Sequence, residues 1–264
     1  MSTGHESPPA STPVVGSRGT PKWYHLRIRV LLLLPVALLV AAGFVIPRQI
    51  RQQRAIAKLK QNNAVVRTQP ASLLGAELLI PPAYADEIVE VYWRDPALDE
   101  KQLVILAGIT SIEKLELSTS PVTSPGLANL TGLFKLYMLH LDGTQVDDEG
   151  LVHLTRLHSL AVLSLDHTRV TDAGLAQLER LPNLERLFLN GTSITDAGLA
   201  HLGKLSKLKE LSLVETKGSD VGLEHLKGLK ELEMLKIHDT RVTQKGMDDL
   251  HAALPKCVIW LPSP

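Results

Sequence analysis

A single cysteine, Cys257, in 264 residues excludes a disulfide framework and any cysteine-rich metal centre. No cysteine follows the apolar stretch near the N-terminus, so a lipoprotein anchor is excluded as well. Aromatic residues amount to 4%, which leaves aliphatic side chains to build the core. There is no phosphate-cradling glycine loop, no metalloprotease helix motif and no nucleophile elbow. Net charge is missing too, with 28 Lys and Arg against 28 Asp and Glu. A hydrophobic content of 44% excludes a wholly disordered chain, and a mean hydropathy of +0.07 excludes a multi-span membrane protein.

The neutrality is a cancellation. Residues 1–70 carry ten basic residues against one acid, Glu6, a charge of +9, so residues 71–264 carry −9. Residues 1–21, rich in Ser, Thr, Pro and Gly without apolar periodicity, are expected to be a disordered tail. Residues 22–60 are expected to hold a basic-flanked transmembrane helix and a juxtamembrane helix. The core of the span, residues 30–46, has seventeen positions without a charge and a rise of about 25 Å, the short end for crossing a bilayer. Arg27 and Arg29 flank one end and Arg48, Arg51 and Arg54 the other, with Trp23 and Tyr24 at an interfacial position.

Three readings compete for this segment: a buried core helix, a signal peptide cleaved near Ala41-Ala42-Gly43, and an uncleaved signal anchor. The length of chain before it and the apolar run past that site to Ile46 favour the anchor. Residues 48–60 read as a helix that either lies on an anionic leaflet or continues the span into solvent. Residues 61–86 follow as linker and N-terminal cap. The linker ends at Pro70, and Leu73, Leu74, Leu78 and Leu79 are available to cover a first coil. Cations on both flanks leave the positive-inside rule without a vote. The remainder is expected on the exoplasmic (periplasmic) side, because long domains translocate largely regardless of flanking charge.

Residues 87–264 repeat with a period of 24. Gly126, Gly150, Gly174, Gly198, Gly222 and Gly246 keep the spacing without drift, as do Ser120, Thr144, Thr168, Thr192, Thr216 and Thr240. Leu151, Leu154, Leu157, Leu160, Leu163 and Leu165 recur in the next coils as Leu175 to Leu189 and Leu199 to Leu213. Leu163-Ser164-Leu165 alternates as a short strand does, while Leu175, Leu178 and Leu181 recur every three residues as on a helical or 3₁₀ turn. One such unit cannot bury its leucines alone. The coils must therefore stack into an α/β solenoid, with a parallel β-sheet on one face and short helices or 3₁₀ turns on the other.

The glycine column marks a turn or a close approach between coils. Thr171 or Asp172 is placed to cap the first amides of that turn, and the Thr168 column to satisfy amides of adjacent coils. Val91 and Trp93 fall in register with a first strand. Ile259 and Leu261 keep the register at the other end, where Trp260 and the nearby prolines stop it. Gly218 and Ser219 break two columns, which marks the weakest coil.

The pattern Leu160-x-x-Leu163-x-Leu165-x-x-Thr168-x-Val170 resembles the leucine-rich-repeat signature, with threonine at the usual asparagine position. Val170-Thr171-Asp172-Ala173-Gly174-Leu175, echoed at Ile194-Thr195-Asp196-Ala197-Gly198-Leu199, is similar to bacterial repeats of that family. The basic N-terminus, single apolar span, Arg/Gln-rich helix and spacer resemble in layout the planctomycete-type membrane-anchored members. The resemblance implies a curved, non-catalytic scaffold that binds other proteins on its concave sheet. The cysteine-clustered end caps of eukaryotic extracellular members are absent.

The outward strand positions form three columns. Met138, Val162, Arg186 and Met234 belong to the first, His140 and Phe188 to the second, and Asp142, Asp166, Asn190 and Val214 to the third. These ten are the candidate protein-binding face, because apolar residues rimmed by charge mark interaction surfaces. Asp142 and Asp166, on strands about 4.8 Å apart, can raise one carboxyl pKa or, with His140 and His167, hold a divalent cation. A hard cation requires more converging oxygens, so no metal site is assigned. His153, His201 and His225, with Gln177 completing the column, read as a solvated repeat position and not a metal ladder.

The expected function is that of a membrane-tethered scaffold with a protein or peptide ligand, no cofactor, no small-molecule substrate and no catalytic activity. Nucleic acid is not expected, since the repeats carry −9 and no basic stripe. The alternatives are a structural envelope or surface protein without a dedicated ligand, and a repeat protein secreted after signal-peptide cleavage.

Overall fold

The computed structural model describes residues 50–70 and 86–260. The tail 1–21, the apolar segment 30–46, the leucines Leu73, Leu74, Leu78 and Leu79, and Leu261 with the last prolines lie outside the described residues. No helix among the described residues is long and apolar enough to cross a membrane.

A helix over residues 50–61, α1, leads into β1 (Val65–Pro70). The strands β2 (Asp86–Tyr92), β3 (Lys114–Glu116), β4 (Met138–His140), β5 (Val162–Ser164), β6 (Arg186–Phe188), β7 (Glu210–Ser212), β8 (Met234–Lys236) and β9 (Val258–Trp260) follow. They form one sheet in chain order, with β1 antiparallel to β2 and every later pair parallel. The register is the sequence period itself: Leu115, Leu139, Leu163, Leu187, Leu211 and Leu235 lie side by side. The return arcs are 3₁₀ over Glu100–Ile105 and Ser124–Leu130. They become helical at α2 (Asp148–Leu154), α3 (Asp172–Leu178), α4 (Asp196–Leu202), α5 (Asp220–Leu226) and α6 (Gln244–Ala253). Both strand leucines of each coil and the three arc leucines point inward and are essentially inaccessible, so one aliphatic core runs the length of the stack. Trp93, in register as expected, is fully buried in the first coil.

The N-terminal segments depart from expectation. Residues 61–70, expected as a linker, hold the end of α1, a turn and β1, and the helix assigned to a leaflet or to open solvent packs on the solenoid. Ala55 and Leu59 of α1 and Ala64 beyond it join the common core. Polar contacts fix the docking: Gln102 Nε2 donates to Asn62 Oδ1 at 3.0 Å and Asn63 Nδ2 to Asp95 Oδ2 at 3.1 Å. The physical reason is that the first coil has no preceding coil to cover its leucines, and α1 with β1 supplies that cover.

Two polar roles also change, one of a hydroxyl and one of a carboxylate. The threonine column does not reach adjacent coils: Thr144, Thr168 and Thr216 each donate 2.7 Å to the carbonyl three residues back in their own coil. Asp172 does not cap its own helix. Its Oδ1 accepts from Thr195 N at 2.8 Å and its Oδ2 from Thr195 Oγ1 at 2.6 Å, one coil on, and Asp148, Asp196 and Asp220 repeat the lock. Ser219 substitutes fully in this arrangement, donating to Asp196 Oδ2 at 2.7 Å, so the irregular coil keeps its bonding.

A further column escaped the sequence reading. Thr119, Gly143, His167, Gly191, Glu215 and Asp239, one per coil, all have φ between 53° and 66°. Each turns the chain out of its strand, and Thr119, Gly143 and His167 donate their N–H at 2.7 Å to a carbonyl of the next coil. Four of the six are not glycine, at a strain of about 1 kcal/mol each.

Candidate functional site

The sheet places Met138, His140, Val162, Arg186, Phe188 and Met234 at its outward strand positions, and Asp142, Asp166, Asn190 and Val214 follow those strands, bonded to one another from coil to coil. They are not equivalent. Val162 is only 8% exposed, covered among its neighbours, and is not available to a partner. Met138, Phe188, Val214 and Met234 are half-buried, so part of each faces solvent. The strongest apolar exposure on this face is at β9, where Val258 is 58% and Trp260 46% exposed. Trp260 continues the column of Phe188 and Lys236, with its ring 5.5 Å from His238 in an edge-on arrangement. Its spacing of 24 from Lys236 carried that signal, which the prolines after it obscured.

The charges on this face largely neutralise one another. Glu90 takes Lys114 at 2.8 Å and Arg67 at 3.3 Å, and Glu116 takes Arg94 at 2.8 Å. Glu210 holds Arg186 at 2.8 Å and Lys236 at 3.0 Å. These two cations also stand 5.9 Å each from the Phe188 ring centroid, within cation–π range. Burial pushes the Glu210 carboxyl up, but Lys236 and Arg186 together hold it below the usual carboxylate range.

The two aspartates belong to a hydrogen-bond ladder. Asp142 accepts from Ser118 Oγ at 2.9 Å, from Ser164 Oγ, and from Asp166 N at 3.2 Å. Asp166 accepts from Asn190 N at 2.7 Å and from Asn190 Nδ2 at 2.8 Å, and Asn190 Oδ1 accepts from Val214 N at 2.9 Å. Burial raises the Asp166 carboxyl, with the Asp142 charge adding to it, against the bonds from Asn190. A raised folded-state pKa penalises the charged form at neutral pH, and the penalty disappears as the pH falls through that pKa. Asp166→Asn is therefore expected to melt at or above the parent temperature at pH 7. It keeps an oxygen for Asn190 N, and the half-exposed Asn190 amide finds water. The advantage fades as the pH is lowered towards the ordinary Asp pKa of about 3.9. Thermal melts of both proteins across this range check it; an advantage that grows with acid refutes it.

The aspartates and histidines do not converge as one group. His167 sits at a left-handed position with its imidazole over Gly191, where a Cβ would strike its Nδ1. His140 instead lies with Glu116 and Asp142, its Nδ1 3.5 Å from Glu116 Oε2 and 3.8 Å from Asp142 Oδ2. One ligand atom from each of these three lies within 4.8 Å of the others. The Arg94 guanidinium already occupies Glu116 Oε2, and His140 Nε2 is buried without the acceptor that orients a metal-ligating histidine. The arrangement is better suited to ordering the face than to holding a cation. In the arc column, His201 Nδ1 pairs with Glu179 Oε1 at 2.7 Å, beside Lys204 at 2.8 Å.

No family model matches the sequence, and no curated protein matches it. Among solved structures the chain is similar to internalin C2 of Listeria monocytogenes, with a TM-score of 0.54 and 24% identity over 65% of this chain and 70% of that one. It is also similar to a second internalin of that organism, inlF, at a TM-score of 0.48 and 20% identity over 64% of this chain and 51% of that one. The likeness to internalin C2 is one of fold: the 24-residue coils build a leucine-rich-repeat solenoid.

Proposed function

We propose that this chain is a non-catalytic, membrane-tethered leucine-rich-repeat scaffold that captures a protein or peptide on its open sheet face. The apolar segment 30–46 is the tether, and the repeats stand on the exoplasmic side. The observation that carries the reading is the set of solvent-facing Met138, Phe188, Val214, Met234, Val258 and Trp260 on a sheet whose charges are paired with one another. Covering that face removes apolar surface from water and leaves the pairs of Glu210 with Arg186 and Lys236 intact, so burial there is favourable. The ligand it suits is an apolar segment with basic flanks, because the unbalanced charge of the face lies at Asp142 and Asp166.

Peptides selected from a displayed random library on the full chain, then added to intact spheroplasts, test the reading. Met138→Asp, Phe188→Asp and Trp260→Asp together are expected to weaken their binding about 100-fold or more while the melting point holds. Peptides that bind the triple variant equally well would place recognition elsewhere, and peptides that reach the face only after the spheroplasts are opened would put the repeats in the cytoplasm.

A further inference from the structure

We propose that the outer face of α1 docks on anionic lipid headgroups and clamps the solenoid by its N-terminal end to the bilayer surface. The inference rests on the tether reading above. It begins with a division of labour within one helix. Gln52, Ala55 and Leu59 are buried against the first coil, with Ile56 half-buried beside them. Ile50, Arg54, Ala57, Lys58 and Gln61 are exposed, and their spacing of four, three, one and three places them on one stripe of the opposite face. Lys60 is exposed on the flank of that stripe.

Because the apolar face of α1 is consumed by the solenoid, the helix has no second apolar face to insert into lipid. What it offers outward is a cationic surface around Ile50 and Ala57. No acid occurs anywhere between Glu6 and Glu77 to neutralise it within the segment, and no ion pair among the described residues engages Arg54, Lys58 or Lys60. Position supplies the second argument. Ile50 follows the end of the apolar segment, Ile46, by four residues, so the face cannot move more than about 15 Å from the point where a tether leaves the bilayer. That reach lets the face come within a Debye length of an anionic surface, where each exposed cation adds to the attraction. The rest of the solenoid carries net negative charge, so the same surface does not attract it.

The test uses the full chain carrying Ala57→Cys, labelled with an environment-sensitive fluorophore. Cys257 does not compete for label, because it is buried and its thiol is pushed up to about 11. The chain is reconstituted in vesicles of phosphatidylcholine alone or with about one-third phosphatidylglycerol. The fluorophore is expected to be shielded from an aqueous quencher only in the anionic vesicles. Arg54→Gln, Lys58→Gln and Lys60→Gln together weaken that docking about 100-fold, roughly fivefold per cation. Equal shielding in both lipids, or shielding unchanged in the triple variant, overturns the proposal. Alkaline carbonate extraction separates the two readings. A chain released by carbonate refutes the tether, and if its label is still shielded on added anionic vesicles the α1 face stands.

Discussion

Gly198→Ala is expected to lower the stability of the solenoid by about 2–4 kcal/mol, a drop of roughly 5–12 °C in melting point. Helix propensity alone predicts the opposite, since alanine inside α4 should gain about 1 kcal/mol over glycine. The clash decides the sign. A Cβ at Gly198 would collide with Asp172 Oδ1 and lie 2.9 Å from Ile194 Cγ2 and 3.0 Å from Leu175 Cδ1. Asp172 cannot swing aside without releasing both its bonds to Thr195, at 2.8 and 2.6 Å, and charged acceptors make such bonds worth about 1.5–3 kcal/mol each. At five of the six column glycines a carboxylate of the preceding coil occupies the place of the side chain, and at Gly150 the Ser124 hydroxyl does. A double-mutant cycle shows this directly. Asp172→Ala is destabilising alone, but it vacates the space, so Asp172→Ala with Gly198→Ala should cost less than the sum by about 1–2 kcal/mol. Gly228→Ala, where nothing lies within 4 Å of the new methyl, is the control and should change little. Strict additivity in denaturant unfolding would mean that the column has some other cause.

That lock shows why part of the molecule was legible in its sequence and part was not. A period of 24 fixes which residues neighbour one another, so sheet register, the buried leucine columns and the outward columns follow from counting. It does not fix what a polar side chain does once there. Asp172 looks like a cap for its own helix, and only the stacked geometry shows it bonding Thr195 in the next coil. The left-handed column is hidden for a different reason: two glycines among six residues are too few to mark it, His167 and Asp239 are only of types enriched there, and Thr119 and Glu215 carry no sequence sign of a positive φ. On the candidate face the placement was legible but the exposure was not. Val162 is covered, while Trp260 at the end of the stack is open because no further strand among the described residues pairs beyond β9. The N-terminal cap was least legible. It lies outside the period, so no equivalent copy shows which side of α1 turns inward, and a helix with apolar residues on one side and cations on the other is the pattern of a lipid-bound helix as much as of a cap.

Leu59→Asp distinguishes those two patterns and carries the second large effect. In the structure Leu59 is completely buried between α1 and the first coil. Removing a buried leucine side chain costs about 2–5 kcal/mol, and a carboxylate left there must be hydrated, which requires the helix to leave. The loss should be local at first. Coils in a stack touch only their neighbours, so stability is close to a sum of coil and interface contributions, and an end that loses its cover frays. Hydrogen exchange is therefore expected to accelerate at the amides of β2 and β3 while those of β7 and β8 keep their protection. Lys58→Asp, one residue away on the exposed side of the same helix, changes stability by no more than about 0.5 kcal/mol. If the two substitutions behaved alike, α1 would not be the cap of the first coil. If they separate as expected, α1 is the cap of the first coil, and its cations Arg54, Lys58 and Lys60 are on the side that it leaves open to solvent.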